Sequence, residues 1–324
     1  MSNPAAQTLR VHQIRSATVL LEIAEHRLVV DPMLSDVGAL PGFKLFGGGR
    51  RANPLVPLPP CADACFAAAN GVLVTHEHPD HLDGPGRSWA RSRGLPVWAS
   101  AVDVPSLRAR GLDARELVDG ALGMRVEVIE NRHGRGLVGW AMGPVSGFFL
   151  AALDAPSVYL TGDAILTPNV VDAVDRLDPD VIVAPAGAAN SGEAETSSSR
   201  STRSSSRGAR GDVVLNHLEA LTIARRPARR SGADRGRLSA RVHVLEDGEA
   251  LVFRDPRVRP SPGATRAARV YRSGSPPSSR ERDRPRGDNG HVGALVGFAT
   301  SSTRPLLEAC SRAPDPDGYE RMIQ

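Results

Sequence analysis

Lysine is almost absent from this chain: of 40 basic residues, only Lys44 is not an arginine. Together with 32 glycines, 26 prolines and abundant alanine, this usage points to a GC-rich coding sequence. Cysteine is scarce as well. Cys61, Cys65 and Cys310 form an odd, sparse set that argues against a disulfide framework and suits a reducing compartment. Cys61 and Cys65 are expected simply to pack. No run of about 18 apolar residues occurs, so no membrane-spanning helix is expected. The N-terminus Met1-Ser2-Asn3-Pro4 also lacks the basic and apolar regions of a secretory signal, and a cytoplasmic protein is the expectation. Aromatic residues make up 4% and hardly occur among the arginines, which lie in Ser, Gly and Pro text; this argues against nucleic acid as a partner.

What is present supports a folded core. In 324 residues, 41% are apolar, which excludes collagenous and wholly disordered chains. Charge is unevenly spread: residues 1–196 carry 16 basic against 22 acidic groups, whereas 197–324 carry 24 against 14. Short β-branched runs broken by Gly, Pro and Asp predict a hairpin over 18–23 and 27–30. Further strands are predicted over 72–74, 97–99, 125–129, 145–150, 157–160 and 181–184. Helical patterns cover 104–110 and 170–176, so the class is α/β or α+β with many strands. Residues 34–60, rich in Gly and Pro, are expected to be a loop bordering a site. Residues 193–210 and everything after Phe253 have too little apolar surface to offset ordering entropy. We expect a domain over 1–255 and a disordered Arg/Pro/Ser-rich tail over 256–324.

Three of nine histidines fall within six residues, in Thr75-His76-Glu77-His78-Pro79-Asp80-His81-Leu82-Asp83, directly after the buried-strand run Gly71-Val72-Leu73-Val74. Imidazoles and carboxylates at this density suit a borderline divalent ion, because a loop leaving a strand lets alternate side chains converge on one point. Without an ion, the cluster would be a costly concentration of half-buried polar groups. His12, His26, His243 and His291 have no motif around them and are read as ordinary residues.

This pattern, His-X-His-X-Asp-His after a buried strand, resembles the signature of the metallo-β-lactamase superfamily. The resemblance covers roughly residues 8–253 and implies a four-layer αββα sandwich of the α+β class. It also implies that His76, His78 and His133 hold one metal, that Asp80, His81 and His217 hold a second, and that Asp163 bridges them. His133, Asp163 and His217 each follow a predicted strand. Asp31, in Leu28-Val29-Val30-Asp31-Pro32, matches a position that orients the metal loop, and Asp83 is either a similar support or a helix N-terminus. Within the superfamily, the stretches Ile14–Thr18, Asp31–Leu34, Met142–Phe148 and His217–Leu221 are similar to the branch of L-ascorbate-6-phosphate lactonase. That branch usually has an acidic-capped helix before its last strand, where this chain has a Ser/Arg tract. Shifting the reading frame by one base turns plausible codons for Glu193–Thr202 into Gly-Gly-Gly-Asp-Val-Leu-Ile-Ser-Leu-Asp. The family's Asn-His-Cys-Pro likewise becomes Thr222–Arg225 on loss of one base. We therefore read 193–210 and 222–240 as frameshifted text, a hypothesis that resequencing the gene tests.

The resemblance implies a metal-dependent hydrolase in which a metal-bound hydroxide attacks a small-molecule lactone, ester or phosphate-bearing substrate. Asp80 would orient the nucleophile. Zn²⁺ fits the donors, in one or two copies, and Mn²⁺ or Fe²⁺ are acceptable. Met33–Arg51 would form part of the pocket rim, with Arg50 and Arg51 near an anionic group. Two alternatives stay open: a nuclease or phosphodiesterase with a basic C-terminal arm, and an impaired, non-catalytic remnant, because the altered text adjoins His217.

Overall fold

Alternation along the strands sorts the apolar side chains into three layers of core. In the computed structural model, which describes residues 8–41, 52–134, 142–185, 211–217 and 242–254, the first sheet has seven strands in the order β13-β1-β2-β3-β4-β5-β6. These are β1 (Thr8–Arg15), β2 (Thr18–Ile23), β3 (His26–Val30), β4 (Gly71–Val74), β5 (Pro96–Ala99), β6 (Asp113–Glu116) and β13 (Ala250–Arg254). The second sheet runs β12-β11-β10-β9-β8-β7, built from β7 (Arg125–Arg132), β8 (Pro144–Ala151), β9 (Val158–Leu160), β10 (Val181–Pro185), β11 (Asp212–Asn216) and β12 (Val242–Val244). Each sheet is mixed. β13-β1-β2-β3 and β7-β8-β9 pair antiparallel, and β3-β4-β5-β6 and β9-β10-β11-β12 pair parallel.

In β4, Leu73 enters the core between the sheets while Val72 and Val74 face the opposite way; in β10, Val181 and Val183 point inward, and Ile182 and Ala184 outward. Both strands are covered on two faces, so their sequences are continuous apolar runs rather than alternating ones. The outer face of the first sheet packs on α1 (Ala62–Ala68), α2 (Gly84–Ser92) and α3 (Val104–Ala109). That of the second sheet packs on α4 (Pro168–Leu177), giving the four-layer αββα order expected from the sequence. The last of these helices shows how its text specifies it. The Thr167 hydroxyl accepts from the Val170 N–H as an N-cap, Pro168 opens the first turn, and Asp178 ends the helix in a left-handed conformation. Val170, Ala173, Val174 and Leu177 make one buried stripe, in which each Val or Leu contributes about 1.5–3 kcal/mol. Replacing Thr167 by Ala would remove about 1 kcal/mol of cap.

The predicted strands and helices all occur, within a few residues at their ends. Strands β1, β6, β12 and β13 and helices α1 and α2 were not predicted. The first of these has the polar text Thr-Leu-Arg-Val-His-Gln-Ile-Arg, yet His12, Gln13 and Arg15 are all buried. Its Arg15 guanidinium donates to the carbonyls of Met33, Ser35 and Val56 and so joins the chain at 33–35 to that at 56. Strand β6, Asp-Ala-Arg-Glu, is a charged edge strand with only Ala114 buried, a composition that discourages pairing with another chain. The tracts 193–210 and 222–240, the tail 256–324, and Arg50 and Arg51 lie outside the described residues. Among the described residues, no helix is long and apolar enough to cross a membrane.

Candidate metal centre

Every predicted ligand leaves the end of a strand, and the two sheets bring these ends to one rim. The first sheet supplies His76, His78, Asp80 and His81 from the loop after β4, and Asp31 after β3. The second supplies His133 after β7, Asp163 after β9 and His217 after β11. Asp31 and His217 both have positive φ, 48° and 58°, which for residues other than glycine costs about 1–3 kcal/mol and clusters at functional sites. The conformations are held from outside. The Asp31 N–H donates to the Leu73 carbonyl and the His217 N–H to the Ser16 carbonyl, which stitches the second sheet to the β1–β2 turn.

The side chains form two groups whose donor atoms lie within 4.8 Å of one another, His76 with His78 and His133, and Asp80 with His81, Asp163 and His217. Asp163 joins the groups: its Oδ2 lies 3.0 Å from His133 Nε2, 3.2 Å from His81 Nε2 and 3.4 Å from His217 Nε2. Asp80 Oδ2 is 3.5 Å from His217 Nε2. The residues that the resemblance named thus lie together in the structure, with Asp163 in the second group and also beside His133.

Hydrogen bonds around the centre fix which nitrogen of each ring faces inward. Asp31 Oδ2 accepts from the Thr75 hydroxyl at 2.7 Å and from His81 Nδ1 at 2.9 Å, while its Oδ1 accepts from the Thr75 N–H. With its proton committed to Asp31, the Thr75 oxygen can only accept from His76 Nδ1, 3.1 Å away. His78 Nε2 donates to the Met142 carbonyl at 2.9 Å. The lone pairs left over are His76 Nε2 and His78 Nδ1, which face each other at 3.1 Å, and His81 Nε2 once that ring gives up its second proton to an ion. Metal-binding imidazoles are oriented in this way by partners on the other ring nitrogen. Thr75, Met142 and Ser16 were not assigned these roles from sequence. Thr75 adjoins the histidine cluster, but two of the three act through backbone carbonyls, which leave no mark on residue type. Asp83, by contrast, is a helix N-terminus: it caps α2 through the Gly86 N–H and also accepts from the Ser35 N–H. Glu77 turns away to pair with Arg110 at 2.8 Å.

Charge and solvation favour a cation here. Burial, with nearby His81, keeps His76 well below the ordinary imidazole pKa, and burial lowers His78 as well, so both offer lone pairs at neutral pH. Burial opposes ionisation of Asp163 and Asp80. For Asp163, His217 and His81 outweigh it; for Asp80, the 3.5 Å contact with His217 and the nearby His81 do so, and both carboxylates are held below the usual range. On His81, burial is outweighed by Asp163 and Asp31, which raise its pKa well above the ordinary value. His81 Nε2 and His217 Nε2 are buried without a well-formed hydrogen bond. Two anionic carboxylates, neutral imidazoles aimed inward and two orphaned ring nitrogens fit one or two divalent ions.

A four-layer sandwich with a His/Asp centre at one rim defines a class of metal-dependent hydrolases. A model of the beta-lactamase superfamily domain matches residues 26–230, and the chain belongs to that family. The chain is 25% identical over 256 residues to the UPF0173 protein YddR of Bacillus subtilis (strain 168), covering 76% of this chain and 100% of that relative. Among solved structures, a possible metal-dependent hydrolase from Veillonella parvula DSM 2008 is similar at a TM-score of 0.67 and 26% identity, covering 74% of this chain and 98% of the other. The isothiocyanate hydrolase from Delia radicum gut bacteria is similar at 0.65 and 23% identity, covering 76% of this chain and 100% of the other; that likeness speaks to the fold alone.

Proposed function

We propose that the protein hydrolyses a small-molecule lactone, ester or phosphate-bearing substrate at a centre of one or two Zn²⁺, Mn²⁺ or Fe²⁺ ions, in the branch resembling L-ascorbate-6-phosphate lactonase. The observation that carries this is the position of Asp163, one carboxylate oxygen within 3.4 Å of imidazoles from both ligand groups. His76, His78 and His133 would hold one ion, Asp80, His81 and His217 the other, and Asp163 would span them. When bound, such an ion would lower the pKa of water toward about 7 and polarise the carbonyl or phosphoryl oxygen of the centre under attack.

The chain's own residues set up that chemistry. Asp31 and Thr75 hold His81 and His76 as the tautomers whose lone pairs point inward. Asp80, kept ionised beside His217 and His81, is placed to accept a hydrogen bond from the attacking water and so orient it. His217 reaches the centre although the text on either side of its strand is atypical, which favours an active enzyme over an impaired remnant. Metal analysis of the purified protein, followed by a screen of lactones, esters and phosphodiesters, tests the proposal. We expect metal-dependent turnover of one class, lost in the variant His76→Ala/His78→Ala. Absence of metal, or turnover indifferent to that double change, would refute the assignment.

A further inference from the structure

A second group of metal-ligating side chains lies on the other side of the first sheet, in the layer between β1 and α1. His12, Cys61 and Cys65 are 3%, 2% and 0% exposed, and one donor atom from each lies within 4.8 Å of the others. Cys61 is the N-cap of α1 and Cys65 stands one turn further on, so both thiols share the helix face that meets the sheet. The inward side chains of β1 are Leu9 and Val11, which sends His12 to the opposite face, toward the helix. The Cys65 Sγ is 3.4 Å from His12 Nδ1 and the Cys61 Sγ 3.7 Å from His12 Nε2. The two thiols are not joined in a disulfide.

We propose that His12, Cys61 and Cys65 form a separate, thiolate-containing site for a borderline ion of the Zn²⁺ class. Zinc bonds of about 2.3 Å to sulfur and about 2.0–2.1 Å to nitrogen place S and N ligands of one tetrahedral ion about 3.6 Å apart; Cys65 Sγ and His12 Nδ1, at 3.4 Å, are already near that separation, and Cys61 completes a set whose donors lie within 4.8 Å of one another. The imidazole is oriented as a metal-bound one is: His12 Nε2 lies 3.0 Å from the Gly248 carbonyl and donates to it, which leaves Nδ1 as the ligand atom beside Cys65. Two thiolates and a divalent ion sum to zero charge, so the complex can sit in an apolar layer where either thiolate alone would be costly. Among the described residues, the cluster shares no residue with the His/Asp centre. Its burial denies access to substrate. The ion is therefore a staple, tying α1 to β1 and, through Gly248, to the turn that leads into β13.

Cobalt substitution tests this, because a thiolate bound to Co²⁺ gives a near-ultraviolet charge-transfer band that an imidazole and carboxylate centre cannot give. The full chain carrying Cys310→Ser, which leaves only these two thiols, is purified with reductant, stripped with a chelator and reloaded with Co²⁺. We expect the band in this protein and in its His76→Ala/His78→Ala derivative, and its loss in Cys61→Ser and Cys65→Ser. Cobalt uptake without the band, or no uptake at all, overturns the proposal, and this reading needs neither Cys61→Ser nor Cys65→Ser to fold. As a second measurement, Zn²⁺ should slow alkylation of both thiols at least tenfold; equal rates with and without Zn²⁺ would overturn it too. Cobalt bound without the band, or equal alkylation rates, would leave the hydrolase reading untouched, since that rests on other residues, whereas no uptake at all would count against both.

Discussion

Replacing Asp31 by Asn exchanges one carboxylate oxygen for an NH₂ group and changes little else. Asn tolerates the left-handed conformation better than other residues bearing a Cβ, so the φ of 48° adds little cost and the substitution isolates hydrogen-bond chemistry. The carboxylate accepts three bonds: from the Thr75 N–H, the Thr75 hydroxyl and His81 Nδ1. If the amide oxygen keeps the Thr75 N–H, the NH₂ faces His81 Nδ1, donor against donor. His81 must then move its proton to Nε2, which aims it at Asp163 and removes a lone pair from the ligand set. If the amide flips, the buried Thr75 N–H loses its acceptor instead. A buried donor left unsatisfied costs about 1–3 kcal/mol, and at about 1.4 kcal/mol per decade this predicts a loss of metal affinity of about fivefold to 140-fold. Losses of about 10–100-fold are usual when an orienting partner of a metal ligand is changed. Competition for Zn²⁺ against a chromophoric chelator, run side by side on parent and variant, measures the ratio. A variant within twofold of the parent would show that Asp31 does not set the His81 tautomer.

Three further outcomes follow from the same geometry. The double substitution His76→Ala/His78→Ala removes two of the first group's three imidazoles and should leave the His/Asp centre with a small fraction of its metal, read by elemental analysis against a parent treated alike. Gly162 has a φ of +56°, and a Cβ there would stand 3.0 Å from Val145 Cγ1, 3.1 Å from Thr75 Cβ and 3.2 Å from the Ser146 carbonyl oxygen. Gly162→Ala should therefore lower stability by about 1–3 kcal/mol in a urea melt and weaken metal binding by displacing the adjacent Asp163; a variant matching the parent in both would contradict the packing. In Asp83→Ala, α2 loses its cap and the Ser35 N–H loses its acceptor. We expect about 1–3 kcal/mol of destabilisation with the metal ligands unchanged, and a melt equal to the parent's would refute the capping role.

The histidine cluster and the apolar runs were legible in the sequence because each is local: spacing alone puts three imidazoles on one loop, and a β-branched run needs no distant partner to read as a strand. The same locality hid β1. Its pattern carries His12, Gln13 and Arg15, which become buried only because α1, the chain at 33–35 and 56 and the turn before β13 cover them. His12 looked like an isolated residue for that reason, since Cys61 and Cys65 lie about 50 positions away and meet it only when the helix docks. His133, Asp163 and His217 are intermediate cases, named in advance only because a family resemblance supplied their order. Residue types and short-range spacing thus determined the chemistry this chain can hold, a His/Asp centre behind a buried strand. Only the stacking of two sheets decided that Asp163 faces imidazoles from both of them, that Asp31 and Thr75 orient two of those rings, and that a Cys/His cluster forms on the opposite face. These depend on where strand ends and carbonyls arrive in space, and distances across the chain are set by packing rather than by any residue's neighbours in sequence.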